Sequence, residues 1–156
     1  MALDEDIALF QSVPTLAMLG PQALQILAIG AETLQVDSGA VLFYAGEPAI
    51  AGYVIQQGSI RLLPADKTDG NELTLGPGTL IGELALIAGN VRPATAIAQE
   101  PSIVVKISRA VFLKVLEGYP EAARALRDML AARVERWTHE LAPVHAALRD
   151  DGPTKS

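Results

Sequence analysis

The sequence predicts an α+β fold: an antiparallel β-barrel or jelly roll with helices before and after it. Three observations lead there. First, residues 31–107 are a series of short apolar runs, among them "ETLQV", "AVLFYAG", "GYVIQQGSIRLLP", "NELTLGPG", "TLIG", "PATAIAQ" and "SIVVKIS", parted by glycine, proline, Asp or Asn. Strands spaced that closely pair antiparallel. Second, the flanking segments change to helical spacing. Third, 156 residues, half of them apolar, suit one domain with a real core.

Each element can be justified in order. Residues 3–10 read as a short helix behind an acidic start, and "GPQALQILAIG" at 20–30 as a second. Pro21 suits a first helical position, and Leu24, Leu27 and Ala28 fall on one side. Turns are expected at "DSG" (37–39), "QQGS" (56–59), "TDGN" (68–71) and "GPG" (76–78), where glycine or Asx residues tolerate positive φ. Ser108 can cap a helix running to about Glu117, which "GYP" ends. Pro120 opens a long helix with an acid in its first turn. Leu130, Val134, Trp137, Leu141, Val144 and Leu148 form a stripe on it that is expected to face a partner, with a break near Pro143. The segment 143–156 is expected to be a kinked or disordered tail. The sequence shows no internal repeat and no second domain.

Composition narrows the functions. There is no cysteine, which removes disulfides, thiolate catalysis and thiolate metal sites. The start "MALDEDIALF" is acidic and unlike a secretory signal, and no apolar run reaches the length of a membrane span, so a cytoplasmic protein is expected. Net charge is −6, and the basic residues Arg124, Arg127, Arg133 and Arg136 are mixed with Glu121, Asp128, Glu135 and Glu140. That is a solvated helix face, and direct DNA binding is not expected. The only two histidines, His139 and His145, lie in or beyond the last helix and share no face. A barrel metal site of the cupin kind, or a nucleophilic team, therefore has no members, and an enzyme is not expected.

One segment stands out. "LIGELALIAGNVRPATAIA" (80–98) sets a lone acid, Glu83, and a lone base, Arg92, in an apolar run. A lone acid there is costly unless partnered. Three explanations compete. Glu83 and Arg92 pair with each other; Glu83 serves only the start of a short helix; or both face a ligand carrying an anion and hydroxyls. In the third, Gly82 allows close backbone approach, amides near Leu84 and Ala85 point at the anion, Arg92 supplies a planar fork for phosphate oxygens, and Glu83 accepts from a sugar hydroxyl.

Here the chain resembles the cyclic nucleotide-binding domain family, which includes catabolite activator proteins and protein kinase A regulatory subunits. The family's phosphate-binding cassette runs as an apolar residue, G-E-x-A-L, a spacer, R, a small residue, A. The match is Ile81, Gly82, Glu83, Leu84, Ala85, Leu86, five residues, then Arg92, Pro93, Ala94. "GEPAIAGYVIQQGSI" is similar to the family's glycine–acid turn and following strand, and "VFLKVLEGYPEAARALRDMLAAR" to its hinge and lid helices.

The resemblance implies a cyclic nucleotide-binding domain over 1–142, with N-terminal helices at 1–30, the barrel at 31–107 holding a cassette at 81–95, and hinge and lid helices at 108–142. It implies that Glu83 contacts a ribose 2′-OH, that Arg92 contacts the cyclic phosphate, and that Gly82, Leu84, Ala85, Pro93 and Ala94 complete the site. Arg133, Arg136 and Trp137 are the candidate lid over the base. Pro93 departs from the pattern: it stands where a small residue's N–H commonly bonds the phosphate, and proline has none. It also lacks the threonine hydroxyl that cGMP-preferring members often place there, so cAMP is favoured over cGMP.

No helix-turn-helix follows the long helix, so the expectation is a stand-alone bacterial-type sensor. It would close its C-terminal helices on the ligand and signal to a protein partner, with no cofactor beyond that ligand. The alternative is a degenerate fold that acts as a ligand-independent scaffold, dimerising through residues 121–148.

Overall fold

A computed structural model of the chain describes residues 2–64, 72–87 and 91–132, with the backbone alone at Ala2 and Leu84. The chain begins with three helices, α1 (Ala2–Gln11), α2 (Pro14–Ala17) and α3 (Pro21–Ile29). Among the described residues eight strands follow: β1 (Glu32–Val36), β2 (Val41–Phe43), β3 (Ala51–Gln57), β4 (Ile60–Pro64), β5 (Leu73–Leu75), β6 (Leu80–Ile81), β7 (Ala94–Ala98) and β8 (Ser102–Ser108). Helix α4 (Glu83–Ile87) separates β6 from β7, and α5 (Arg109–Gly118) follows β8. Residues 120–132 are helical again.

Among the described residues the strands form two four-stranded antiparallel sheets, ordered β1-β8-β3-β6 and β2-β7-β4-β5. This is a jelly roll, as the strand spacing predicted. Alternation along β3 explains the layering. Ala51, Tyr53 and Ile55 point between the sheets, where they meet Phe43, Ile60, Ile81, Ala96 and Val104. Val54 points the other way, into a helical layer with Phe10, Leu16, Leu24, Leu27, Leu86 and Phe112. The first sheet is thus covered on both faces. Fully burying one such Leu or Phe stabilises by about 1.5–3 kcal/mol.

Most local expectations hold. Ser108 caps α5, its Oγ accepting from the Val111 amide at 3.1 Å. Gly39, Gly58 and Gly78 occupy their turns at φ of 85°, 91° and 86°. Gly58 has the additional demand that a Cβ would lie 2.2 Å from Ser102 Oγ. The "TDGN" turn lies outside the described residues. Helix α2 is an addition: "PTLA" is four residues long, too short for periodicity to reveal.

Ahead of the partner-facing stripe, Ala122 and Leu126 are buried in the domain's own helical core, and Leu130, the stripe's one described residue, packs partly against it. The rest of the stripe, the candidate lid residues Arg133, Arg136 and Trp137, and the tail at 143–156 lie outside the described residues. On α1, Asp6 is only 8% exposed. Burial, with a smaller push from Glu5, raises its carboxyl pKa above the usual 3.8.

Candidate functional site

Strand β6 delivers the chain to Gly82, whose φ of 83° turns it into α4. A side chain is excluded there twice. The conformation is left-handed, and a Cβ would sit 2.8 Å from Arg92 Nη1 and 3.1 Å from the Ala51 carbonyl oxygen. The glycine thus lets the backbone run close against Arg92.

Arg92 is held at both its backbone and its head. Its amide donates to the Glu47 carbonyl and its own carbonyl accepts from Gly46, each at 2.8 Å. This zips it to the turn after β2, which Glu47 closes by accepting from the Tyr44 amide at 2.6 Å. The adjacent Pro48 and Val91 form an isolated antiparallel bridge. The side chain is 4% exposed. Its guanidinium carbon lies 4.0 Å from the Phe43 ring centroid and 5.7 Å from that of Tyr53. The two rings stack with centroids 5.8 Å apart. Nη2 donates to the Ala51 carbonyl at 2.7 Å, while the buried Nε has no hydrogen-bond partner. Burial lowers the Arg92 pKa below the usual arginine value, and Tyr53 and Glu47 act in the other direction.

Glu83 begins α4 and is half-buried. Its Oε2 accepts a hydrogen bond from the hydroxyl of Thr15 on α2. Among the described residues no ion pair joins Glu83 to Arg92; the one found there is Arg61–Glu72 at 3.3 Å. The Ala85 amide, expected to point at an anion, instead donates to the Gly82 carbonyl at 3.0 Å. The reason is geometric: the tight entry into a five-residue helix closes a three-residue bond at once.

Gly82, Glu83, Ala85, Arg92, Pro93 and Ala94 all line one cavity of about 340 Å³, with Phe43, Leu62 and Ile81 among its apolar walls. Pro93 is exposed at its edge. The volume and the few polar groups among apolar walls suit a small organic ligand. The Leu84 side chain and the three lid candidates are outside the described residues. Thr15, Phe43, Ala51 and Tyr53 were not anticipated as site residues. Scarcity was the one available hint for the aromatic pair, since the chain has only three Phe and three Tyr. Among the described residues no group of three or more His, Asp or Glu is placed to hold a metal, and no helix is long and apolar enough to cross a membrane.

The model of the family described as cyclic nucleotide-binding domain matches residues 33–119. The chain is 28% identical to a lysophospholipase of Neurospora crassa over 93% of its own length but only 10% of that protein's. It is 31% identical to a cyclic nucleotide-gated potassium channel of Mesorhizobium japonicum over 80% of its length and 34% of the channel's. The chain thus spans a small part of these relatives. Among solved structures, the N-terminal domain of a transcriptional regulator from Streptomyces coelicolor A3(2) superposes with a TM-score of 0.75 at 27% identity, covering 85% of this chain and 94% of that one.

Proposed function

The chain belongs to the cyclic nucleotide-binding domain family, and from that premise we propose that it is a cAMP receptor module which passes the binding event to a protein partner. One observation carries the proposal: the Glu83 carboxylate and the buried Arg92 guanidinium line the same 340 Å³ cavity. In this reading Arg92 takes the cyclic phosphate and Glu83 the ribose 2′-OH. Gly82, Leu84, Ala85, Pro93 and Ala94 form the rest of the cradle. An anion supplies what the guanidinium lacks, since Nε is buried without an acceptor and a buried cation is costly until it is paired.

The binding unit in this reading runs over 1–142, with Arg133, Arg136 and Trp137 as the lid over the base. Ligand binds the closed arrangement of the C-terminal helices more tightly than the open one, and so shifts the population. Pro93 offers no hydroxyl to a guanine, which supports cAMP over cGMP. The module works in the cytoplasm and performs no chemistry on its ligand. Calorimetric titration of the wild-type chain with cAMP and cGMP tests the proposal. Saturable heat with cAMP, stronger than with cGMP, is expected. No heat at millimolar cAMP and no thermal shift would defeat it.

A second reading draws on the same side chain. Arg92 already donates to Ala51 and packs on Phe43, which supports a degenerate fold whose cation is satisfied internally. That protein would act as an interaction or dimerisation scaffold through residues 121–148. Melting unchanged by either nucleotide, together with a firm dimer in sedimentation, selects it.

A further inference from the structure

Helix α2 carries a polar residue where its neighbours are apolar. Thr15 is 3% exposed and sits between Val13, at 4%, and Leu16, at 0%. A helical threonine commonly turns its hydroxyl back to a carbonyl three or four residues earlier. Thr15 does not: its hydroxyl reaches across 68 residues of sequence to Oε2 of Glu83. A buried hydroxyl with no acceptor costs free energy, so the contact is favoured from the Thr15 side as well.

The two partners stand on a shared support. Val13 just before α2, Leu16 within it and Leu86 of α4 belong to one buried cluster. The carboxylate can accept several hydrogen bonds at once, so the Thr15 bond restrains Glu83 without using up its capacity for a ligand hydroxyl. We propose that Thr15 is a positioning residue: its buried hydroxyl sets the rotamer of Glu83 and thereby the recognition of a ligand's sugar hydroxyl. The inference rests on the cyclic nucleotide reading. It adds to it a residue from the N-terminal helices, outside the cassette.

The test compares cAMP with 2′-deoxy-cAMP, which lacks the hydroxyl assigned to Glu83. Thr15→Val keeps the shape of the side chain and removes the donor; Thr15→Ser keeps the donor. Thr15→Val is expected to weaken cAMP about tenfold, the lower end for a hydrogen bond to a charged group, and to leave 2′-deoxy-cAMP nearly unchanged. Thr15→Ser is expected to restore most of the cAMP affinity. Thr15→Ala carries the same expectation if the valine variant does not fold. Equal losses for both nucleotides, no loss for either, or unfolding of both donor-free variants would make Thr15 a structural residue and overturn the inference. A wild-type chain that binds both nucleotides equally overturns it too, together with the hydroxyl role of Glu83, while leaving intact the reading that the chain is a cyclic nucleotide receptor. A wild-type chain that binds neither defeats both.

Discussion

The guanidinium carbon of Arg92 rests 4.0 Å above the ring of Phe43, on a strand of the opposite sheet from the one whose Ala51 carbonyl its Nη2 bonds. A cation held against an aromatic face and away from water is stabilised by about 2 kcal/mol or more. The same cation loses hydration, and its Nε finds no acceptor. The side chain is therefore held in place and left incomplete.

Binding and stability should part company at Arg92. Arg92→Ala is expected to weaken cAMP by at least about tenfold, the loss of one or more charge-assisted bonds, while costing little melting temperature because a desolvated cation goes with it. Arg92→Lys should recover only part of the affinity, because an ammonium lacks the planar fork. Calorimetry paired with thermal melts reads both. A variant that binds as wild type removes Arg92 from the site.

Phe43→Leu keeps apolar volume and removes the ring face. A double-mutant cycle with Arg92→Ala, followed by urea unfolding, should return a coupling of roughly 0.5–2 kcal/mol. Additive losses would mean that the stacked geometry contributes no energy.

Gly82→Ala faces a left-handed φ of 83° and a contact of 2.8 Å with Arg92 Nη1. The backbone conformation alone costs on the order of 1–3 kcal/mol for a residue with a Cβ. Chemical denaturation should show that loss, and cAMP binding should fall with it because the displaced atom belongs to Arg92.

Pro93→Ala restores an amide N–H at the cavity edge. If the cyclic phosphate sits against this residue, cAMP should bind roughly ten- to a hundredfold more tightly. Unchanged affinity in calorimetry would move the phosphate away from residue 93.

Asp6 gives a pH signature. Burial raises its pKa in the folded state above the usual 3.8, so the folded chain holds the proton more tightly than the unfolded one. Stability contributed by this group is greatest at acid pH and declines as pH rises from about 3.8 through the folded pKa, then stays lowered at neutrality. Asp6→Asn should melt higher than wild type at pH 7, with the gap closing on acidification. Melts of both proteins across pH 4–7 check the sign.

What the sequence disclosed and what it hid follow from the range of the forces involved. The strand runs, the Ser108 cap and the turns at Gly39, Gly58 and Gly78 are local, and local chemistry exposed them. Glu83 and Arg92 were legible because a charge in an apolar run is itself a signal. Their partners were not legible. Thr15 lies 68 residues from Glu83 and Ala51 lies 41 from Arg92, and no spacing rule links such pairs. The Ala85 amide misled because the sequence does not say whether α4 opens with a free first turn or with the bond to Gly82 that it makes. The burial of Leu126 just ahead of the C-terminal stripe was not legible either, because an apolar helix face looks alike whether it covers its own domain, as Leu126 does, or another.

The zipper between the turn at residues 44–47 and the backbone of Arg92 has a mechanical corollary. A tug on that side chain loads two layers in parallel: one through Phe43 and its turn, the other through Ala51. The second load enters β3, whose opposite face bears the helices at Val54. Force applied in the pocket would thus enter the same strand on which the helical shell rests.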